Sequence, residues 1–250
     1  VFQQQPLTGH LALAINQSQL EIAALDLQGI GFKLRGHGTL TENIYLTWQV
    51  DQLEKLLPDC RGQLRGAGRL QLAPTGINAD MANHGERLQY HNLTLDKWLL
   101  KGELDRSRQF KLEFSGHDLK DSHSEMSFKR FQITTTGNDL QHSVAFRFGQ
   151  SGSNLNGRLE GGWKGRQWQG YLAQLRIEDK RIGLWQISAP ASLLLSKQQL
   201  QLGQMQLANT LNGSITVQGN YLPLENQAEV LANWHRFDLS LFNPWLTNVN

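Results

Sequence analysis

Apolar and polar residues alternate with a period of two along most of this chain, and the alternation is densest between Gly161 and Leu195. There Trp168, Gly170 and Leu172 share one parity, while Gln167, Gln169 and Tyr171 share the other. Successive side chains of an extended backbone point to opposite sides, so this spacing predicts a strand with one dry face and one wet face. The same grammar places Leu11, Leu13 and Ile15 together, and sets Ile44, Leu46, Trp48 and Val50 against Tyr45, Thr47 and Gln49. It sets Leu64, Gly66, Gly68, Leu70 and Leu72 against Gln63, Arg65, Arg69 and Gln71. Further runs are Ile77/Ala79/Met81, Trp98/Leu100/Leu104, Phe110/Leu112/Phe114, Val144/Phe146/Phe148, Ile215/Val217/Gly219/Tyr221 and Ala228/Val230/Ala232/Trp234. Together they predict about fifteen to eighteen strands at roughly 10–14-residue spacing, with no strand–helix–strand rhythm.

Two stretches leave this pattern. Leu53, Leu56 and Leu57 have helical spacing after Asp51 and before Pro58, which predicts about two turns of helix capped by Asp51. Phe237 to Leu246 is another short segment, with Pro244 near its end. Strand, strand, short Leu/Pro segment and a Gly-x-x-x-Gly strand recur in that order, which argues for an extended stacked sheet over a closed sandwich. Periodicity alone does not separate an apolar face closed as a core from one that lines an open groove.

Composition narrows the class. At 250 residues and with no long linker, the chain is expected to be one continuous segment spanning 1–250. Only 18% of its residues are charged and the net charge is +2, so much of the wet face is Gln, Asn, Ser and Thr, and no basic patch points to nucleic acid. Cys60 is the single cysteine, which excludes an intramolecular disulfide. The chain opens on Val1 and closes on Asn250 with no signal-peptide core and no long apolar run, and both ends are expected to be cuts in a longer protein.

Candidate chemistry is sparse. His117, Asp121 and His123 form the best cluster of metal-ligand types, but their spacing fits no zinc pattern and a solvated turn is expected. The glycines at 29, 31, 36 and 38 are followed by no helix, so a phosphate loop fails its own condition. Cys60 has no oriented partner, and the carboxylates are scattered. The expectation is a protein without catalytic residues, metal or cofactor.

Residues 157–172 and 183–191 resemble the TamB family, the inner-membrane subunit of the translocation and assembly module of Gram-negative bacteria. So does Asn233–Leu246, and residues 46–68 are similar to that family's recurring unit of strand, short helix, Pro and Gly-x-Leu-x-Gly. The resemblance covers roughly residues 20–250. Cysteines expected around Leu207–Val217 are absent here, which removes a local disulfide. The resemblance implies an all-β, folded-over elongated sheet (a β-taco) with an apolar groove and one or two short helices. It implies a periplasmic protein anchored to the inner membrane by a segment not present here. It also implies phospholipid as cargo and an outer-membrane barrel of the TamA type as partner. On that reading the groove is lined, by parity, by Ile44, Leu46, Trp48, Leu64, Leu70, Leu100, Phe110, Leu112, Phe114, Phe146, Leu172, Ile215, Val217 and Val230.

Two other functions compete. Exposed strands could pair with an outer-membrane β-protein during its assembly, using backbone hydrogen bonds. A carbohydrate-active β-solenoid would place aromatics beside paired carboxylates on the wet face, whereas most tryptophans here share the aliphatic parity.

Overall fold

The computed structural model describes residues 7–16, 19–74, 76–123, 127–210 and 212–236. The expected segment from Phe237 to Leu246 lies outside these residues. Seventeen strands are present among the described residues, the fold is all-β, and the chain divides into two compact units, 1–136 and 137–250. No helix among the described residues is long and apolar enough to cross a membrane.

The first unit is an antiparallel meander. Its strands are β1 (Thr8–Asn16), β2 (Gln19–Gly29), β3 (Phe32–Thr39), β4 (Ile44–Val50), β5 (Cys60–Ala73), β6 (Gly76–Tyr90), β7 (Leu93–Leu104), β8 (Phe110–Asp121) and β9 (Ser127–Gly137). Each of β1 to β8 pairs with its sequence neighbour. Such a path follows from short turns, because antiparallel strands need only a few residues to reverse.

The second unit holds β10 (His142–Gln150), β11 (Ser153–Lys164), β12 (Gln167–Asp179), β13 (Gly183–Ile187), β14 (Ala191–Leu195), β15 (Leu200–Asn209), β16 (Ser214–Leu222) and β17 (Gln227–His235). Gly165 and Arg166 join β11 to β12 in a two-residue turn, and Gly165 supplies the positive φ of 64° that this turn requires. β13 and β14 occupy one place in the sheet. Both pair with β12 on one side and β15 on the other, and Ser188 to Pro190 interrupt the ladder between them. Proline has no N–H to give to a ladder, which accounts for the break.

The helix expected at 51–58 is reduced to a 3-10 turn over Leu53–Lys55. Asp51 does not cap it; its carboxylate accepts from Gln49 Nε2 at 2.7 Å, and Gln52 at the cap position makes no side-chain bond. An uncapped segment this short does not recover the cost of helix nucleation. Leu53 is buried, whereas Leu57 is exposed.

Candidate functional site: the apolar faces

Directly opposed residues of an antiparallel pair share a face, so the register assigns the paired side chains of β3 to β8 to their faces. One row across β3 to β8 reads Gly38, Ile44, Leu70, Ala79, Leu104, Phe110. The next reads Gly36, Leu46, Gly68, Met81, Gly102, Leu112. The third reads Leu34, Trp48, Gly66, Asn83, Leu100, Phe114. The fourth reads Phe32, Val50, Leu64, Gly85, Trp98, Gly116. All nine first-unit candidates therefore lie on one face. That face is almost wholly apolar over six strands.

In the second unit Phe146 faces Gly157, and Val144, Leu159, Leu172 and Ala191 form a row. Gly161, Gly170, Leu193, Leu202, Gly219 and Val230 form another, and Ile187, Leu207, Ile215 and Trp234 a third. Val217 lies beside Ile215 on this face, opposite Met205. One-residue shifts at Arg158/Leu159 and Leu202/Met205 keep the apolar side continuous where strict parity would reverse it. The five second-unit candidates thus also share a face.

Large rings on these faces lie across glycines. A Cβ at Gly85 would overlap Cε2 and Cζ2 of Trp98, one at Gly157 the ring of Phe146, and one at Gly66 the indole of Trp48. With no Cβ beneath it, each ring rests against the neighbouring backbone and protrudes less from the sheet. Phe114 packs edge-on against Trp98 at 6.2 Å and against Phe131 at 5.0 Å.

The faces are only partly covered. Among the described residues no large side chain is fully withdrawn from solvent, and Met81 and Leu112, mid-sheet on the apolar side, are 36% and 38% exposed. Buried apolar residues concentrate in a few places, including Ile44, Val50 and Leu53 in the first unit and Trp168, Leu172, Trp185 and Ala191 in the second.

Two polar side chains on these faces were not singled out from the sequence. Asn83, 7% exposed, accepts the Trp48 indole N–H at 2.6 Å. His142 accepts the Trp168 indole N–H on Nε2 at 2.8 Å, while its Nδ1 lies 3.0 Å from the Asn138 carbonyl. A carbonyl only accepts, so this pairing requires the neutral tautomer with its proton on Nδ1. Parity held the signal: Asn83 continues the Ile77/Ala79/Met81 series, and His142 precedes Val144/Phe146/Phe148.

The opposite faces are polar. Arg69 pairs with Asp80 at 2.7 Å across β5 and β6, Arg35 with Asp26 at 3.3 Å, and Lys129 with Asp118 at 2.8 Å. Lys111 holds the Glu113 carboxyl below its ordinary range, and Lys129 does the same for Asp118. Asp105, bonded first by the Ser107 hydroxyl, and Asp179, bonded first by the Ser153 hydroxyl, are also lowered. These four carboxyls are all lowered, the direction of a hydrogen-bonded anion and the reverse of a general acid. His117 lies opposite Lys97 on the wet side, and the Asp121 carboxylate accepts the His123 backbone N–H at 3.0 Å. Among the described residues no group of three or more His, Cys, Asp or Glu could hold a metal ion.

A model of the family described as TamB, N-terminal domain, matches residues 1–249. No curated protein and no solved structure matches the chain.

Proposed function

From the membership of this chain in the TamB family, whose proteins belong to the translocation and assembly module, we propose that its apolar faces shield and conduct phospholipid between the inner and outer membranes. The reading takes residues 1–250 as one continuous periplasmic segment, joined to an inner-membrane anchor and working with an outer-membrane barrel partner of the TamA type. Its support is the face of β3–β8: six strands wide, apolar but for Asn83 in the four rows traced across it, with Met81 and Leu112 still more than one-third exposed. Acyl chains cost about 0.8 kcal/mol per CH₂ in water, and such a face removes that cost while the headgroup stays wet at the rim. Transport is served by many weak, similar sites, and the flat-lying rings and aliphatic rows provide them without a discrete pocket.

The test is site-specific photo-crosslinking. A crosslinker at Leu112 or Phe114 captures phospholipid, and one at Lys111 or Glu113, on the other face of the same strand, does not. Equal labelling at all four positions refutes the face assignment.

A second reading, assistance to outer-membrane protein assembly by strand pairing, is favoured by β17, whose residues are all exposed. Phe114→Asp separates the two, since it blocks lipid passage and leaves backbone pairing intact.

A further inference from the structure

Four tryptophans on the apolar faces are buried or half-buried, and three have an internal partner for the indole N–H. Trp48 donates to Asn83 Oδ1, Trp168 to His142 Nε2 and Trp185 to the Ile182 carbonyl at 2.9 Å. The fourth, Trp98, has its Nε1 withdrawn from solvent with no acceptor among the described residues. A buried donor without a partner is rare and calls for a physical explanation. Asn83 stands close by: it occupies the row next to Trp98, two residues from Gly85 on β6, and Gly85 lies directly opposite Trp98. Its oxygen is taken by Trp48, and its amide nitrogen meets only the Met81 thioether sulfur, a weak acceptor, at 3.6 Å. Among the described residues the Trp98 N–H therefore has no acceptor and the Asn83 amide N–H no oxygen partner.

We propose that Trp98 and Asn83 form a registration site that takes the ester carbonyl of a glycerolipid lying along the apolar face. The inference rests on the lipid-conducting reading and names the chemical class of its cargo. The complement of a donor surplus is a group that accepts and never donates. A phosphate accepts too, but its charge makes entry into an apolar wall costly, whereas an ester carbonyl is neutral. The ester also stands where acyl chain meets headgroup, so chains lying on the aliphatic rows bring it to the wall. The Trp98 N–H is covered in the free protein. Cargo reaches it by parting side chains: Leu95 and Phe131 nearby are buried, whereas Met81 and Leu112, two rows away on the same face, are more than one-third exposed.

The experiment is a competition in native mass spectrometry between a diacyl phosphatidylethanolamine and its diether analogue, which has the same chains and headgroup without the carbonyls. Both are supplied at equal concentration to the 250-residue chain. One net hydrogen bond predicts an ester preference of about 2- to 10-fold in the native sequence. Trp98→Phe brings the ratio to about one while both lipids still bind, since phenylalanine keeps an apolar ring and lacks the N–H. A benzothienyl analogue at position 98, which preserves the tryptophan shape without the N–H, gives the same result if Trp98→Phe fails to fold. Equal binding of ester and ether by the native chain overturns the registration site and leaves the lipid groove standing. An ester preference that survives both substitutions overturns the role of Trp98. Binding of neither lipid refutes the groove reading itself.

Discussion

Gly66→Ala tests whether the glycines of the apolar face are there to seat aromatic rings. Gly66 does not adopt a positive φ, so alanine is tolerated by the backbone there and the effect is steric. The added Cβ would overlap both Trp48 Nε1 and Asn83 Oδ1, the two ends of the 2.6 Å hydrogen bond. The indole must move, and Asn83, at 7% exposure, then keeps an oxygen with no donor. Overpacking typically costs about 1–3 kcal/mol and an orphaned buried polar group about 1–3 kcal/mol, so the sum expected is about 2–6 kcal/mol. Because the chain divides into two units, a local readout is needed: hydrogen exchange of peptides from β4 to β6 across a urea series. The same alanine in a Trp48→Leu background meets no indole and should cost at least about 1 kcal/mol less than in the native background. Additive effects within about 0.5 kcal/mol would refute the idea that the glycine serves the ring.

Three further outcomes are expected. His142→Phe removes the acceptor of the Trp168 indole, which is 5% exposed, and should lower the stability of the second unit by about 1–3 kcal/mol in denaturant titration. The Asp179 carboxyl is held down to about 2, first by the Ser153 hydroxyl and then by the Arg181 and Ile182 backbone N–H groups. Its folded pKa lies below the unfolded one, so its contribution of about 2 kcal/mol is complete above pH 4 and is lost as pH falls towards 2; Asp179→Asn should flatten second-unit stability over that window. Asp80→Asn breaks the half-exposed pair with Arg69 and should change urea stability by no more than about 0.5 kcal/mol, a shift that shrinks further in salt.

The strands were readable because period two is a local property of the chain. A parity count places Ile44, Leu46 and Trp48 on one side before any partner is known. The fourteen candidates share faces because pairing between neighbours preserves parity, and because the bulges at Leu159 and Leu202 reset it where the apolar series shifts. What the alternation could not convey is which residue stands across from which. Trp48 opposite Gly66 and Phe146 opposite Gly157 depend on register, which turn lengths set at a distance. Asn83 and His142 were hidden for a related reason: a polar residue on an apolar parity looks like noise until the indole it serves is known. Leucine spacing at 53, 56 and 57 does not reveal the missing cap: Gln52 stands at the cap position without a side-chain cap bond, and the Asp51 carboxylate turns to Gln49.

The pairing of ring and glycine also bears on how so repetitive a chain finds its alignment. Strands of uniform aliphatic alternation are nearly indifferent to a slip of two residues, since such a slip keeps every side chain on its own face. Trp98 and Phe146 are not indifferent. Two residues out of place, Trp98 would stand across from Asn83 or Arg87 in place of Gly85, and Phe146 across from Leu155 or Leu159 in place of Gly157. Each ring fits one seat in its neighbour, and that single fit gives a long meander the local landmarks that keep its hairpins from closing one notch off.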